Sequence, residues 1–512
     1  MTLSSIVRPL VAVLVLASSG CSGDDDATTD DKTVPDPTTG DTGTVGDDDD
    51  DVVGDDDDDD TTAGLQLVST PSVHVPSVLH LTGTAPTGAV RVVATAASTG
   101  GHTYTSEATI DAGPSFMVPL SGLIYETDYD VQVEVFDGAD GSLGTDVLPV
   151  TSPDAPPFFP GIQGQIVGEA IAAEYVAFAL IENDVTAYVI VVDDQGRVVW
   201  WKQAEPGQAI LTPVLSRDGD ALLWGEYDAD RGGDTGEWVR VELDGTAITR
   251  RAIPRGHHAA VEMPDGGVAW LGLDWRTVDN TDGESNHMAA DTIFEGPATY
   301  DPNLVEVFNT FDDHGGPPAF TCEHMTDPFE RFGESGLEWT HGNSLAYVDS
   351  EDAFYLNAKT TDWLLKIDRS TGNLLWQLGG FGSDFTFTDG SPTFTSADDP
   401  VFVSHGHMSE AWEGGMVIFD NGDHRTPLIS SVAEYAWDET QMTVDRVWTF
   451  DHPGSGNTYA LGDIKKLSDG SYLVGWGTLS ELMVVTSDHR VTWHVTIPSR
   501  YIVGRVLALE HL

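Results

Sequence analysis

From Leu65 to residue 152, apolar and polar residues alternate with a period of two. VRVVATA, YTSEATID, FMVPL and YDVQVEVFDG each place every second side chain on one face, and turn clusters such as APTG, STGG and DGADG separate them. Short strands at this spacing, without helical periodicity, predict an antiparallel β-sandwich over 65–152. The segment 152–160, SPDAPPFFP, reads as a stiff linker. From 161 onward a different unit recurs, in which a strand ends in an Asp/Gly turn and is followed by a strand with a Val-x-Trp-like centre. Such centres occur at Val198-Val199-Trp200, Ala247-Ile248-Thr249, Val305-Glu306-Val307, Leu374-Leu375-Trp376, Arg446-Val447-Trp448 and Val491-Thr492-Trp493. Between them lie RDGDALLWG, PDGGVAWLG, EDAFYLNAK, EGGMVIFDN and SDGSYLVGW. A strand-only repeat of this length predicts a β-propeller, and six centres predict six blades over 161–512. The fold class is therefore all-β. Segments 276–300, 312–338 and 380–400, rich in Gly, Asp and Pro, read as loops inserted on one face, where a site is commonly built.

The first 64 residues lie outside both patterns. Residues 1–20 carry Arg8, the apolar run LVAVLVLA and small residues before Cys21, which reads as a secretory signal ending in a lipoprotein-type cysteine. Lipidation of Cys21 would anchor the protein without a spanning segment, and Ser22 points to the outer membrane. Residues 21–64 hold the runs DDDDD and DDDDDD; with nothing to bury and mutual repulsion, they read as a disordered acidic tether. In the sandwich, Tyr129 resembles the tyrosine that opens a late strand of immunoglobulin- or fibronectin-type modules.

The net charge is −61, and about −45 of it remains after residue 64. This sign repels nucleic acid and anionic lipid, and an anionic substrate would need a locally cationic pocket. The chain has two cysteines, Cys21 and Cys322, which excludes cysteine-built metal sites and, once Cys21 is set aside, an internal disulfide.

Histidines fall at matching places in the repeat. His257 and His258 precede PDGGVAWLG, His341 precedes VDSEDAFYLN, and His405 and His407 precede EGGMVIFDN. Each group opens the inner part of a blade, so residues of three blades are expected to meet near the axis. Three imidazoles could hold zinc with an open position. Alternatively, one neutral imidazole could act as nucleophile while a second moves the proton, with a fixed cation and donors on the electrophile's oxygens. Lys359, placed on a strand, and Asn343 are candidates for those last roles.

THGNSLAYV, YLNAKTTDWLLKIDRSTGNLLWQLGG and FVSHGHMSEAWEGGMVIFDNG, with RGHHAAVEMPDGGVAWLG and GDIKKLSDGSYLVGWG, resemble the arylsulfotransferase family over 161–512. The resemblance implies a six-bladed propeller behind a β-sandwich. It also implies transfer of a sulfuryl group from a phenol sulfate to a phenol through a sulfated histidine, without a nucleotide donor and with no cofactor. By that resemblance His407 is the nucleophile, with His405 as runner-up one strand step away on the same side. His341 transfers the proton and Asn343 is the orienting amide beside it. His258, or its neighbour His257, binds the sulfuryl oxygens. Lys359 stands where the family places an arginine, and Gly406 where it commonly has glutamine. The partners expected are an aryl sulfate, a phenol and a membrane reached through the lipid anchor only; nucleic acid is not expected, and a homodimer is allowed for. Two other readings stay open: a catalytically silent propeller that binds a ligand or protein, and a metal-dependent hydrolase or lyase.

Overall fold

A computed structural model describes residues 64–512 apart from 112, 156–161, 167–170, 183–185, 211, 229–235, 280–284, 298–303, 315–327 and 397–398. The signal, Cys21, the acidic tether, Cys322 and most of the linker thus lie outside the described residues. Leu65–Leu512 form one compact unit. No helix among the described residues is long and apolar enough to cross a membrane.

The alternating strands of 65–152 form two antiparallel sheets. One has three strands and the other four. Their inward residues, among them Leu81, Val118, Ala94, Val131 and Val133, share one buried cluster. Register follows the alternation: in Asp128–Phe136 each second residue is buried, from Tyr129 to Val135. The Tyr129 hydroxyl accepts from the Ile124 amide and pairs with His102 Nδ1, both at 2.9 Å. These sheets lean on the rest of the chain through Ser72 Oγ, which donates to the Gly245 carbonyl at 2.6 Å, and Tyr104, which donates to the Leu512 carbonyl at 3.0 Å.

Nearly all the remaining strands make six sheets arranged as blades of a propeller-like ring, antiparallel but for the short parallel pairings of Met288–Ala289 with Leu337–Glu338 and of Thr386–Phe387 with Thr443–Val444; Phe394–Ser396 and Asp399–Pro400 pair apart from them. The innermost strands of blades three to six are Gly256–Glu262, Gly342–Val348, Gly406–Trp412 and Asp463–Lys466. In blade two the inner edge is split into Gln208–Ile210 and Val214–Leu215. Blade one takes its innermost strand, Tyr501–Leu509, from the far end of the chain, paired with Tyr175–Glu182. Blade six receives Gln163–Ile166 as its outer strand, paired with Val491–Thr496. Both ends of the propeller segment are thereby sewn into neighbouring blades.

The six Val-x-Trp-like centres all fall in or at the edge of strands toward the outside of their blades; in blade six Gln163–Ile166, and in blade five Thr386–Phe387, pairs outside them. The tryptophans fill spaces between blades, where apolar clusters from adjacent sheets meet. Three also latch onto the next blade: Trp200 donates to the Leu243 carbonyl at 3.2 Å, Trp448 to Ser487 at 3.2 Å and Trp493 to Asp194 at 2.8 Å. A buried indole needs a partner for its N–H, and here the partner is a turn of the following blade.

Two sequence expectations change. The described part of 276–300 is mostly strand: Val268–Asp279 and Ser285–Gly296 pair along their whole length, continuing the ladder well past the blade. Lys359 is not on a strand. Strand Ala353–Ala358 ends just before it, and Lys359 begins the turn leading to Trp363.

Candidate active site

The inner strands begin with a shared local device. Arg255-Gly256-His257, His341-Gly342-Asn343, His405-Gly406-His407 and Leu461-Gly462-Asp463 each start on a left-handed residue, with φ of +55°, +49°, +55° and +58°. Glycine follows because the backbone is crowded there. A Cβ on Gly342 would lie 2.5 Å from Asp291 Oδ1, and one on Gly406 would lie 2.9 Å from Ile418 Cδ1. The ladder then slips between Gly256 and Ala260, Gly342 and Ser344, Gly406 and Ser409, and Val503 and Val506. Bulges re-aim side chains. The residues they carry are His257 and His258, Asn343, His407, and Arg505.

Three imidazoles from three blades converge as a result. The His258 ring centroid is 5.0 Å from that of His341 and 6.2 Å from that of His407. His257 supports the group from behind: its Nδ1 is 3.0 Å from His258 Nδ1, and its Nε2 is 3.2 Å from Asp291 Oδ1. The latter contact is close enough for an ion pair but poorly aligned, so neither atom has a well-formed hydrogen bond. Asp291 is fully buried and fixed by Thr340 Oγ1 and by the Gly342 amide at 2.7 Å. Burial alone would raise its carboxyl; the close His257 contact and the bond from Thr340 outweigh burial and hold it below the usual range.

His258 and His407 are pushed well below the usual imidazole value, first by burial and then by repulsion from neighbouring basic groups. For His258 these are His341, His257, His407 and Arg331; for His407 they are Lys359, His341 and Arg505. Both rings are therefore neutral at pH 7. The Gly462 carbonyl pulls His407 the other way but makes no well-aligned bond, and His407 Nδ1 is buried without one. His341 differs. It is partly exposed, and its Nδ1 pairs with Glu338 Oε2 at 2.6 Å. A carboxylate on Nδ1 fixes ring and tautomer and turns Nε2 outward.

The backbone of His407 is clamped from blade four. Asn357 Nδ2 donates to the carbonyls of His407 at 2.6 Å and Gly406 at 2.9 Å, and Asn343 Nδ2 donates to Gly406 at 3.1 Å. Asn343 thus binds across to the next blade, instead of orienting His341. Among the described residues Lys359 makes no ion pair; its charge acts on both His405 and His407. Among the described residues no group of three or more His, Cys, Asp or Glu is arranged to hold a metal ion.

A model of the arylsulfotransferase (ASST) family matches residues 163–496. The chain belongs to that family. A curated member, arylsulfate sulfotransferase AssT of Escherichia coli, is 24% identical over 333 residues, covering 52% of this chain and 53% of the relative. The chain thus spans about half the length of that relative. Solved structures with a similar trace include a protein of unknown function from Bacteroides caccae (11% identity, 64% of this chain, 98% of the other, TM-score 0.35). Another is a virginiamycin B lyase from Staphylococcus aureus (10%, 67%, 98%, TM-score 0.34).

Within this arylsulfotransferase domain His405 and His407 do not share surroundings. His405 lies on the left-handed residue before the strand. Its ring pairs with Asp423 Oδ2 at 3.2 Å and His424 Nε2 at 3.1 Å, while the His407 ring approaches His258. The expectation that both face one side fails because the bulge follows Gly406. Sequence reasoning missed Asp291, Glu338, Asn357, Asp463 and Arg505. Asp463 had a signal, since Leu461-Gly462-Asp463 repeats the His-Gly-x pattern. Asn357 lies two residues before Lys359. Asp291 had none, being inside a segment read as loop.

Proposed function

We propose that this arylsulfotransferase-family protein moves a sulfuryl group from an aryl sulfate to a phenol through a sulfated His407. The observation that carries the reading is the convergence of a buried, neutral His407 with His258 and the Glu338-paired His341. In the first half-reaction a His407 nitrogen lone pair attacks sulfur, the N–S bond forms and the S–O bond to the aryl group breaks. His341 gives its proton to the departing phenolate oxygen. In the second half the acceptor phenol returns a proton to His341 as its oxygen attacks sulfur and the N–S bond breaks. His258 and Lys359 hold the sulfuryl oxygens while charge redistributes.

Burial of His407 matters twice. It keeps the ring unprotonated, and it excludes water that would hydrolyse the adduct. The cations around the site answer the acidity of the chain. We read the sheets of 65–152 as an immunoglobulin- or fibronectin-like sandwich, and the leader, Cys21 and acidic tether as an export signal, a lipid anchor and a spacer at the outer membrane. Radiolabelled palmitate on Cys21 would test the anchor.

The experiment is incubation of residues 65–512 with an aryl sulfate releasing a coloured phenol, with and without a second phenol. Intact-peptide mass spectrometry follows. Acceptor-stimulated release, a sulfuryl adduct on the His407 peptide and loss of both in His407→Ala are expected. Undiminished turnover by His407→Ala would sink the assignment. No release and no adduct across several donors would leave a propeller that binds without transferring.

A further inference from the structure

Arg505 is a buried guanidinium in a protein with few cations, and the proposed transfer steps give it no contact with the sulfuryl group. It sits on Tyr501–Leu509, the strand that closes the ring, in the ladder slip between Val503 and Val506. That is the same device that presents His257, Asn343 and His407 from other blades. Its side chain is 5% exposed. Its hydrogen bond among the described residues runs from Nη2 to the sulfur of Met408 at 3.8 Å, beside His407. A thioether is a weak acceptor.

The neighbouring carboxylate does not satisfy it. Asp463 Oδ2 lies 3.6 Å from Arg505 Nε, and Nε is buried without a hydrogen bond. The Asp463 oxygens instead accept the Val506 amide at 3.0 Å and the Ile464 amide at 2.9 Å. A planar fork of five donors, buried with one weak acceptor and a misaligned counter-ion, is costly unless a ligand completes it. The Tyr227 hydroxyl, also buried without a hydrogen bond, feels the charge of Arg505 and Arg331. Two buried, unfinished donors therefore lie within electrostatic reach of each other. An oxyanion with two or three coplanar acceptors is the ligand that matches such a fork.

We propose that Arg505 is the anion-gripping guanidinium of this site, binding the sulfuryl oxygens from blade one while Lys359 approaches from blade four. The proposal rests on the sulfuryl-transfer reading for the identity of the anion. It relocates the bidentate contact: a lysine at 359 offers only a point charge, and the planar fork comes from the closing strand.

Two readouts separate this proposal from the transfer reading. The first is binding of sodium sulfate and of 4-nitrophenyl sulfate to the folded protein by calorimetry, at ionic strength matched with chloride. The second is KM against kcat in turnover. Arg505→Lys keeps the charge opposite Asp463 and loses the fork. The paired variant Arg505→Gln with Asp463→Asn removes both charges and guards against a buried unpaired carboxylate. Both should keep a cooperative melt, weaken binding of either anion by about 10- to 100-fold, and raise KM for the donor. Anion binding that depends on Arg505 in a protein showing no transfer would uphold the proposal and count against the transferase reading alone. Wild-type affinity and KM in Arg505→Lys, or no binding of either anion by the wild type, would overturn it.

Discussion

Asn357 holds the backbone of His407 from the neighbouring blade, its side-chain nitrogen 2.6 Å from the His407 carbonyl and 2.9 Å from that of Gly406. The bond spans two sheets that share no ladder, so it fixes the height of the proposed nucleophile relative to blade four, which carries His341 and Lys359. Asn357→Asp replaces the donor with an acceptor facing two carbonyls. Loss of about 1–3 kcal/mol in chemical denaturation is expected, with at least about a tenfold fall in kcat. An unchanged kcat in a folded variant would show that the clamp serves stability only.

His341 and Glu338 form the proposed proton-transfer pair. Acidic phenols leave without help, whereas ordinary phenols, with pKa near ~10, need a proton. Glu338→Gln should therefore slow transfer from unactivated aryl sulfates far more than from nitrophenyl sulfate. Plotting log kcat/KM against leaving-group pKa should give a steeper negative slope in the variant. Parallel lines would remove His341 from that role.

Asp362 is buried, and burial pushes its carboxyl up to about 8, while the bond from the His405 amide pulls weakly the other way. The folded state then keeps a proton that the unfolded state has lost. Stability from this group is present at low pH and is lost as pH rises through about 8. Between pH 6.5 and 8 the expected slope is up to ~1.4 kcal/mol per pH unit. Below 6.5 the lowered His405, His258 and His407 oppose it, since each costs stability as acid is added. Urea unfolding of wild type and Asp362→Asn at pH 6.5, 7.25 and 8 checks this. The variant should lack the decline; equal slopes would refute it.

Tyr129→Phe removes the hydroxyl that accepts from the Ile124 amide and pairs with buried His102. Two polar groups lose their partner, so a loss of about 1–3 kcal/mol is expected. Because the hydroxyl lies in the N-terminal sheets, hydrogen exchange should rise there first and leave the ladder of Gly406–Trp412 protected. Uniform loss of protection would mean that the two parts unfold together.

Much of the architecture was legible because strand alternation and turn chemistry are local. VRVVATA and YDVQVEVFDG read correctly at the level of buried and exposed faces, and the Val-x-Trp centres each marked a strand toward the outside of one of the six blades. The long strand pair of Val268–Asp279 and Ser285–Gly296 did not read, since its Gly and Asp residues mimic a loop while its pairing is decided across the ladder. The histidine positions were visible as a repeat, but their aim was not.

By itself the sequence determined the β class, the repeat number, the acidic first 64 residues and the set of histidines opening the inner strands, because periodicity and composition are written along the chain. Only the tertiary structure decided which of His405 and His407 turns toward His258, that Asn343 and Asn357 both clamp Gly406, and that Asp291, Glu338 and Arg505 surround the site. The physical reason lies in the bulges and the ring closure. One extra residue in a strand reverses which side chain faces the axis, and ring closure joins residues more than 300 positions apart, such as Glu182 and Tyr501, that no local pattern connects.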